Sequence, residues 1–222
     1  MVEYDEQGKK LVLKLVYYGP ALSGKTTNLL LLHDILAREN RGDLMVLDTT
    51  DDRTIFFDLL PFFLVAPSGL KIKIKVYTVP GQVRHDATRK AVLQRADGVV
   101  FVADSQQAET STNMESFDNL EKNLALVGLD FGRLPLVIQY NKRDLKDIVA
   151  EQDIRKAWAP TGIPVVMASA LKGWGVKETF ACLAESTYSH IDVRFGLFDK
   201  HGLTKETFME KLTNPAGNEP AT

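Results

Sequence analysis

The sequence predicts an α/β fold, a mostly parallel sheet with one antiparallel edge strand and helices on both faces. Two observations predict it. Short apolar runs alternate with segments of helical period along most of the chain, and that alternation implies crossover connections between parallel strands. One strand-like run instead alternates lysine and aliphatic residues with a period of two, as a strand with one wet face does.

The elements follow in order. Residues 11–18 form a β-rich run ending at Gly19, and residues 26–38 carry leucines at helical spacing. Two strand-like runs come next, 56–65 and 70–79, with Pro67-Ser68-Gly69 between them reading as a hairpin turn. In the second run Lys71, Lys73 and Lys75 share one face, and Ile72, Ile74 and Val76 the other. It is therefore expected to pair antiparallel with the run before it, at the edge of the sheet. Its lysine face reads either as solvated or as a docking face for a partner. Phe62 and Phe63 fall on opposite faces of the preceding strand, so one should enter the core and the other stand exposed.

Residues 98–103, 134–140 and 163–167 are further apolar runs. Val99, Val100, Phe101 and Val102 show no alternation, as expected of a strand buried on both faces. Helical stretches lie near 84–95, 113–127, 151–158 and 175–190. After residue 195 the character changes: 204–212 reads as a short helix with Thr204 as N-cap, and 214–222 as a Pro- and Gly-rich disordered tail. The expected division is one domain over 1–195 and a C-terminal extension over 196–222.

Bulk properties narrow the function. At 222 residues, with 45 % apolar and 25 % charged residues, the chain can bury a full core and is not disordered throughout. A net charge of −2 gives no bulk attraction to nucleic acid or to a membrane surface. The single cysteine, Cys182, permits no internal disulfide, which suits a reducing, cytoplasmic setting. The N-terminal residues lack a signal peptide's pattern, and no apolar run reaches the roughly 18 residues needed to span a bilayer. No direct membrane anchor is expected either, because Val2 replaces a myristoylated glycine and the C-terminus has no cysteine to prenylate. His33, His85, His190 and His201 are scattered without metal-ligand spacing.

Two motifs carry chemistry. Gly19-Pro20-Ala21-Leu22-Ser23-Gly24-Lys25-Thr26 fits G-x-x-x-x-G-K-[ST] between a strand and a helix, the phosphate-binding loop of P-loop NTPases. The glycines let successive N–H groups face phosphate, and the helix that follows points its positive end at the same place. Lys25 is expected on the β- and γ-phosphates and Thr26 on magnesium, with Thr27 beside them. Asn141-Lys142-Arg143-Asp144 follows a buried strand, as N-K-x-D does where guanine is read. An ionised Asp144 can accept two hydrogen bonds from guanine N1–H and the N2 amine, a donor pair adenine lacks. Such a bidentate contact discriminates by about 1–3 kcal/mol. Ser169-Ala170-Leu171 is similar to the S-A-K loop that braces the base, with leucine in place of lysine.

These motifs, with Tyr17-Tyr18-Gly19-Pro20, the run from Arg53-Thr54 through Phe56-Phe57-Asp58 to Pro61, and Tyr77-Thr78-Val79-Pro80-Gly81-Gln82-Val83, resemble the MglA family of bacterial Ras-like GTPases over roughly residues 10–190. The resemblance implies a Ras-like fold, a GDP/GTP cycle with Mg2+, a roadblock-fold activator like MglB, and polarity or gliding-motility effectors. It implies that Thr54 ligates magnesium, that Arg53 is a built-in arginine finger, that Gln82 orients the attacking water, and that Gly81 senses the γ-phosphate through its N–H. Ras-type enzymes carry aspartate where this chain has Thr78, which implies slow intrinsic hydrolysis and modest magnesium affinity. The helix start Arg84-His85-Asp86-Ala87-Thr88 is less aromatic than the family pattern, so the partner is open. The rival readings are a guanine-nucleotide-binding module without turnover, another P-loop enzyme such as an ATPase or small-molecule kinase, and an Arf-like GTPase recruited to membranes.

Overall fold

In the computed structural model, which describes residues 3–35, 43, 45–47, 57–81 and 86–213, one strand organises the rest. Lys10–Tyr18 (β2) pairs parallel with Lys71–Thr78 (β5) on one side and Gly98–Asp104 (β6) on the other. Beyond β6 lie Leu136–Asn141 (β7) and Val165–Met167 (β8), both parallel. Beyond β5 lie Phe57–Val65 (β4) and Met45–Leu47 (β3), each antiparallel to its neighbour. Glu3–Asp5 (β1) folds back antiparallel on the start of β2. Among the described residues these eight strands form one sheet in the order β3-β4-β5-β2-β6-β7-β8, with β1 beside β2.

The lysine-alternating strand β5 does pair antiparallel with the run before it. It is not the edge, however, because its other side is taken by β2 and the short strand β3 lies outside β4. A three-residue strand such as β3 carries too little pattern to be read from sequence. The turn between β4 and β5 is where it was expected, closed by Gly69 N–H donating to the Ala66 carbonyl at 2.9 Å, with Gly69 at φ +84°. Phe62 is buried in the core and Phe63 is 44 % exposed, as strand alternation requires.

The period-two pattern of β2 splits the core between the two faces. Leu11, Leu13, Leu15 and Tyr17 face the helices Lys25–Ile35 (α1) and Val176–Phe195 (α5). Val16 and Tyr18 face Asp86–Leu93 (α2) and Thr110–Leu126 (α3). β6 is buried along its whole length, in keeping with its unbroken apolar run. Glu151–Trp158 (α4) covers the β7–β8 side. Leu197–His201 (α6) and Lys205–Thr213 (α7) complete the described chain. Thr204 caps α7 by accepting the Thr207 N–H at 3.2 Å.

Apolar residues after 195 join the same core. Leu197, Leu203, Phe208 and Leu212 pack with α5, and the Tyr188 hydroxyl donates to the Leu203 carbonyl at 2.6 Å. His201 lies between the Tyr4 hydroxyl at 3.3 Å and the Ser68 hydroxyl at 2.9 Å, joining the N-terminal strand, the β4–β5 turn and α6. Cys182 packs half-buried against this core. The tail expected over 214–222 lies outside the described residues.

Candidate functional site

The phosphate loop leaves β2 at Gly19 and enters α1 at Lys25. Pro20 lies between the carbonyls that hold Lys25, Ala21 and Leu22 are exposed, and Ser23 is buried. Lys25 opens α1 and is itself buried, its ammonium donating to the Gly19 carbonyl at 3.1 Å and the Pro20 carbonyl at 2.6 Å. Thr26 and Thr27 stand exposed on the first turn of α1. Gly24, at φ +98°, has no room for a side chain: a Cβ there would come within 2.2 Å of the Asn141 amide nitrogen.

That contact joins the two motifs. Asn141, at the end of β7, is buried and donates to the Ser23 carbonyl at 2.8 Å. Its side-chain oxygen accepts the Ala170 N–H at 2.9 Å. One side chain thus fastens the phosphate loop to the Ser169–Ala170–Leu171 loop. Asp144 accepts a short hydrogen bond from the buried Ser169 hydroxyl, which fixes the carboxylate on the cleft wall. Gly24, Thr27, Asn141, Asp144, Ala170 and Leu171 line that cleft, with Leu171 77 % exposed on its rim. Lys142 lies at φ +65° and reaches back to Asp104 at 2.6 Å. Asp104, nearly fully buried at the end of β6, also accepts the Gln106 N–H at 3.0 Å.

The opposite wall comes from the end of β5. Thr78 is buried beside Tyr17. Gly81 rests directly on the phosphate loop, where an added Cβ would stand 2.3 Å from Ala21 Cα. Arg53, Thr54 and Gln82 lie outside the described residues, so the segments 43–60 and 78–92, the two switch segments the family resemblance implies, are described only in part.

Sequence reasoning missed the group that holds this wall. Arg89 of α2 is fully buried. Its guanidinium donates to the carbonyls of Pro80 at 3.0 Å and Gly81 at 2.9 Å, reaches Gly19 at 3.5 Å, and donates to Asn119 of α3 at 2.6 Å. It also lies 4.8 Å over the Tyr18 ring. No carboxylate touches it among the described residues; the nearest partner acid, Asp86, is bonded through Asn119 and Asn123 at 3.1 and 2.7 Å. Burial pushes the Asp86 carboxyl up, but hydrogen bonds from Asn123, Lys90 and Asn119 outweigh it and hold the group below its ordinary range. Burial raises the Tyr18 phenol, against the opposing pull of Arg89. The available signal was the spacing of Arg89, Val92, Leu93 and Ala96, an apolar stripe with arginine in its first place.

Among the described residues no group of three or more His, Cys, Asp or Glu could hold a metal, and no helix is long and apolar enough to cross a membrane. The donors near the loop are hydroxyls. Neutral oxygens of this kind suit magnesium only in company with phosphate oxygens, so the residues fit a metal that arrives with its nucleotide.

A glycine-rich loop at a strand–helix junction, fastened by Asn141 to a strand-end Asn-Lys-x-Asp on a parallel sheet, defines a Ras-like P-loop domain of the GTPase class. The profile of the ADP-ribosylation factor family matches residues 66–187. The chain is 49 % identical over 177 residues to the mutual gliding-motility protein MglA of Myxococcus xanthus, covering 80 % of this chain and 91 % of that protein. It is 29 % identical over 133 residues to the Ras-related protein SEC4 of Saccharomyces cerevisiae, 56 % of each chain. With the Ras-related protein RabG2 of Dictyostelium discoideum it shares 24 % identity over 179 residues, 80 % of this chain and 83 % of that one. The chain belongs to the MglA family of Ras-like small GTPases.

Proposed function

We propose that this GTPase cycles between GDP- and GTP-bound states with magnesium and acts as a switch in cell polarity or gliding motility. The observation that carries the reading is Asn141. By bonding the phosphate loop at Ser23 and the base-side loop at Ala170, it sets the Lys25 and Asp144 sides of one cleft at a fixed separation. A nucleotide with guanine on one end and phosphates on the other fits that arrangement. Asp144 and the Ser169–Leu171 loop take the base, and residues 19–27 take the phosphates.

In the proposed mechanism a water attacks the γ-phosphorus in line while the bond to the β-phosphate oxygen breaks. Gln82 orients the water. Lys25 exchanges loop carbonyls for phosphate oxygens, and with Arg53 it balances the charge on the transferring group. Thr26 and Thr54 would hold magnesium, whose chemistry is to neutralise charge on the β- and γ-oxygens. Thr78 brings a hydroxyl rather than a carboxylate to that region, so unassisted hydrolysis is slow and awaits an activator, for which a roadblock-fold protein like MglB is the candidate. Thr54 and Gly81 bind on the γ-phosphate side and order the two switch segments, and hydrolysis releases them.

Single-turnover phosphate release from GTP-loaded protein tests this. The expected result is slow release in the wild type and none in Gln82→Ala. Tight GTP binding without release from either would replace the switch by a nucleotide-binding module.

A further inference from the structure

A net charge of −2 conceals a strongly one-signed surface. The face of β5 opposite its aliphatic residues carries Lys71, Lys73 and Lys75, and the register sets Lys10 and Lys14 of β2 beside Lys71 and Lys75. On the other side, β4 places Val65 beside Lys71 and Phe63 beside Lys73. Both are exposed, and the Lys73 ammonium lies 5.1 Å over the Phe63 ring. Apart from Tyr77, which packs toward α2, the core packing of β4 and β5 is on the reverse face, where Leu60, Phe62, Leu64, Ile72, Ile74 and Val76 meet α1 and α7. Five lysines and two apolar side chains therefore share the strand-start part of a sheet face whose other part, at Val16, Tyr18 and Tyr77, is covered by α2 and α3; the Lys14 ammonium marks the boundary, donating to the Gln94 carbonyl at 3.0 Å.

Little opposes this charge. Among the described residues no carboxylate forms an ion pair with Lys10, Lys71, Lys73 or Lys75. Asp5 stands opposite Lys10 in the β1–β2 pairing, and the buried Asp97 accepts the Lys14 backbone N–H at 2.8 Å. The face ends in a small cleft lined by Lys14, Lys75, Tyr77 and Arg95, with Asp97 at its floor.

We infer that this face rests on an anionic membrane surface. On the strands the array is all lysine, with arginine entering only at Arg95 in the end cleft. Lysine is a flexible point charge depleted from protein–protein interfaces, whereas arginine is the residue of fixed bidentate pairing. A fluid layer of lipid phosphates needs charge without fixed geometry, and each lysine near such a surface strengthens binding roughly fivefold. Phe63 and Val65, standing among the cations, supply apolar contact with the interfacial region. The attraction is reversible and acts only within about a Debye length. The arrangement holds the nucleotide cleft, at the opposite end of β2, away from the strand starts that carry Lys10 and Lys71.

The test is sedimentation of the GDP-loaded full chain with vesicles of phosphatidylcholine alone or mixed with phosphatidylglycerol, at low and high salt. The chain is expected to pellet only with the anionic vesicles at low salt. Lys71→Gln/Lys73→Gln/Lys75→Gln should lose on the order of 100-fold in partitioning, while Lys122→Gln/Lys156→Gln/Lys200→Gln, with the same change of charge, should pellet as the wild type does. Phe63→Ala should lose several-fold. Retained GDP binding in every variant shows that each has folded. A wild type that ignores anionic vesicles, or equal losses in the two triple variants, would overturn the inference. So would retention on poly-glutamate, without vesicle binding, through the same three lysines; that outcome would assign the face to an acidic protein.

Discussion

The two ends of the nucleotide cleft are built differently. At the end proposed to take guanine, Asn141 closes the buried strand β7, Asp144 and Ser169 stand on short loops, and the partners belong to neighbouring motifs: Asn141 bonds Ser23 and Ala170, and Ser169 bonds Asp144. At the end proposed to take the γ-phosphate, the wall formed by Pro80 and Gly81 is held by Arg89, reaching from inside α2. The first end is a fixed frame closed on itself. The second is a clasp whose fastener belongs to α2, within the proposed second switch segment.

The largest test of that contrast is Arg89→Met, which removes the donors of Pro80, Gly81 and Asn119 together. Orphaned buried acceptors cost about 1–3 kcal/mol each, so a loss of about 3–5 kcal/mol in urea-unfolding stability is expected. If Gly81 reads the γ-phosphate as proposed, the variant should also lose preference for GTP over GDP while keeping its preference for guanine over adenine. An unchanged GTP:GDP affinity ratio would reduce Arg89 to a packing residue.

A control comes from Asp97, which bonds Lys14 midway along β2, apart from the phosphate loop at the strand's end. Burial pushes its carboxyl up to about 6 from 3.8, against hydrogen bonding from the Lys14 N–H and the attraction of Arg194 and Lys14. A pKa raised on folding means that the fold favours the protonated form. The stabilisation is therefore complete below about pH 4 and lost as pH rises through about 6. Relative to Asp97→Asn, whose amide oxygen can still accept the Lys14 N–H, wild-type stability should fall by up to about 3 kcal/mol between pH 4 and 7. Nucleotide affinity at fixed stability should not follow it.

At the guanine end, Asp144→Ala should weaken GTP and GDP equally, by roughly 10- to 100-fold, and remove discrimination against ATP in a competition assay. A selective loss of GTP alone would break the separation of the two ends. The smallest effect is expected from Asp104→Asn. Lys142 would lose its carboxylate but keep a neutral acceptor, and GDP affinity should fall several-fold, about 1 kcal/mol.

The same contrast explains what was legible beforehand. The phosphate loop, the Asn-Lys-x-Asp motif and the boundaries of the long strands could be read because their residues are contiguous and their periods unmistakable. The split between Phe62 and Phe63 followed from alternation alone. Arg89 and Asp104 could not be read that way. The partners of Arg89 are mostly main-chain carbonyls, which any sequence supplies, and Asp104 meets Lys142 only through the pairing of β6 with β7. The edge position expected for β5 failed because a period of two reports that one face is wet, not how many strands lie to either side. The short elements β1, β3 and α6 fall below the length at which a period can be counted.

The contact between Gly24 and Asn141 has a consequence for how such a protein can change over generations. With 2.2 Å between the amide nitrogen and any Cβ at position 24, the phosphate loop cannot gain a side chain there unless Asn141, which ties it to the Ser169–Leu171 loop, withdraws. Nor can position 141 accept a bulkier residue unless the loop moves. A lineage substituting residue 141 would loosen the Ser169–Leu171 loop and the phosphate loop in the same step. The two halves of nucleotide recognition are inherited as one trait.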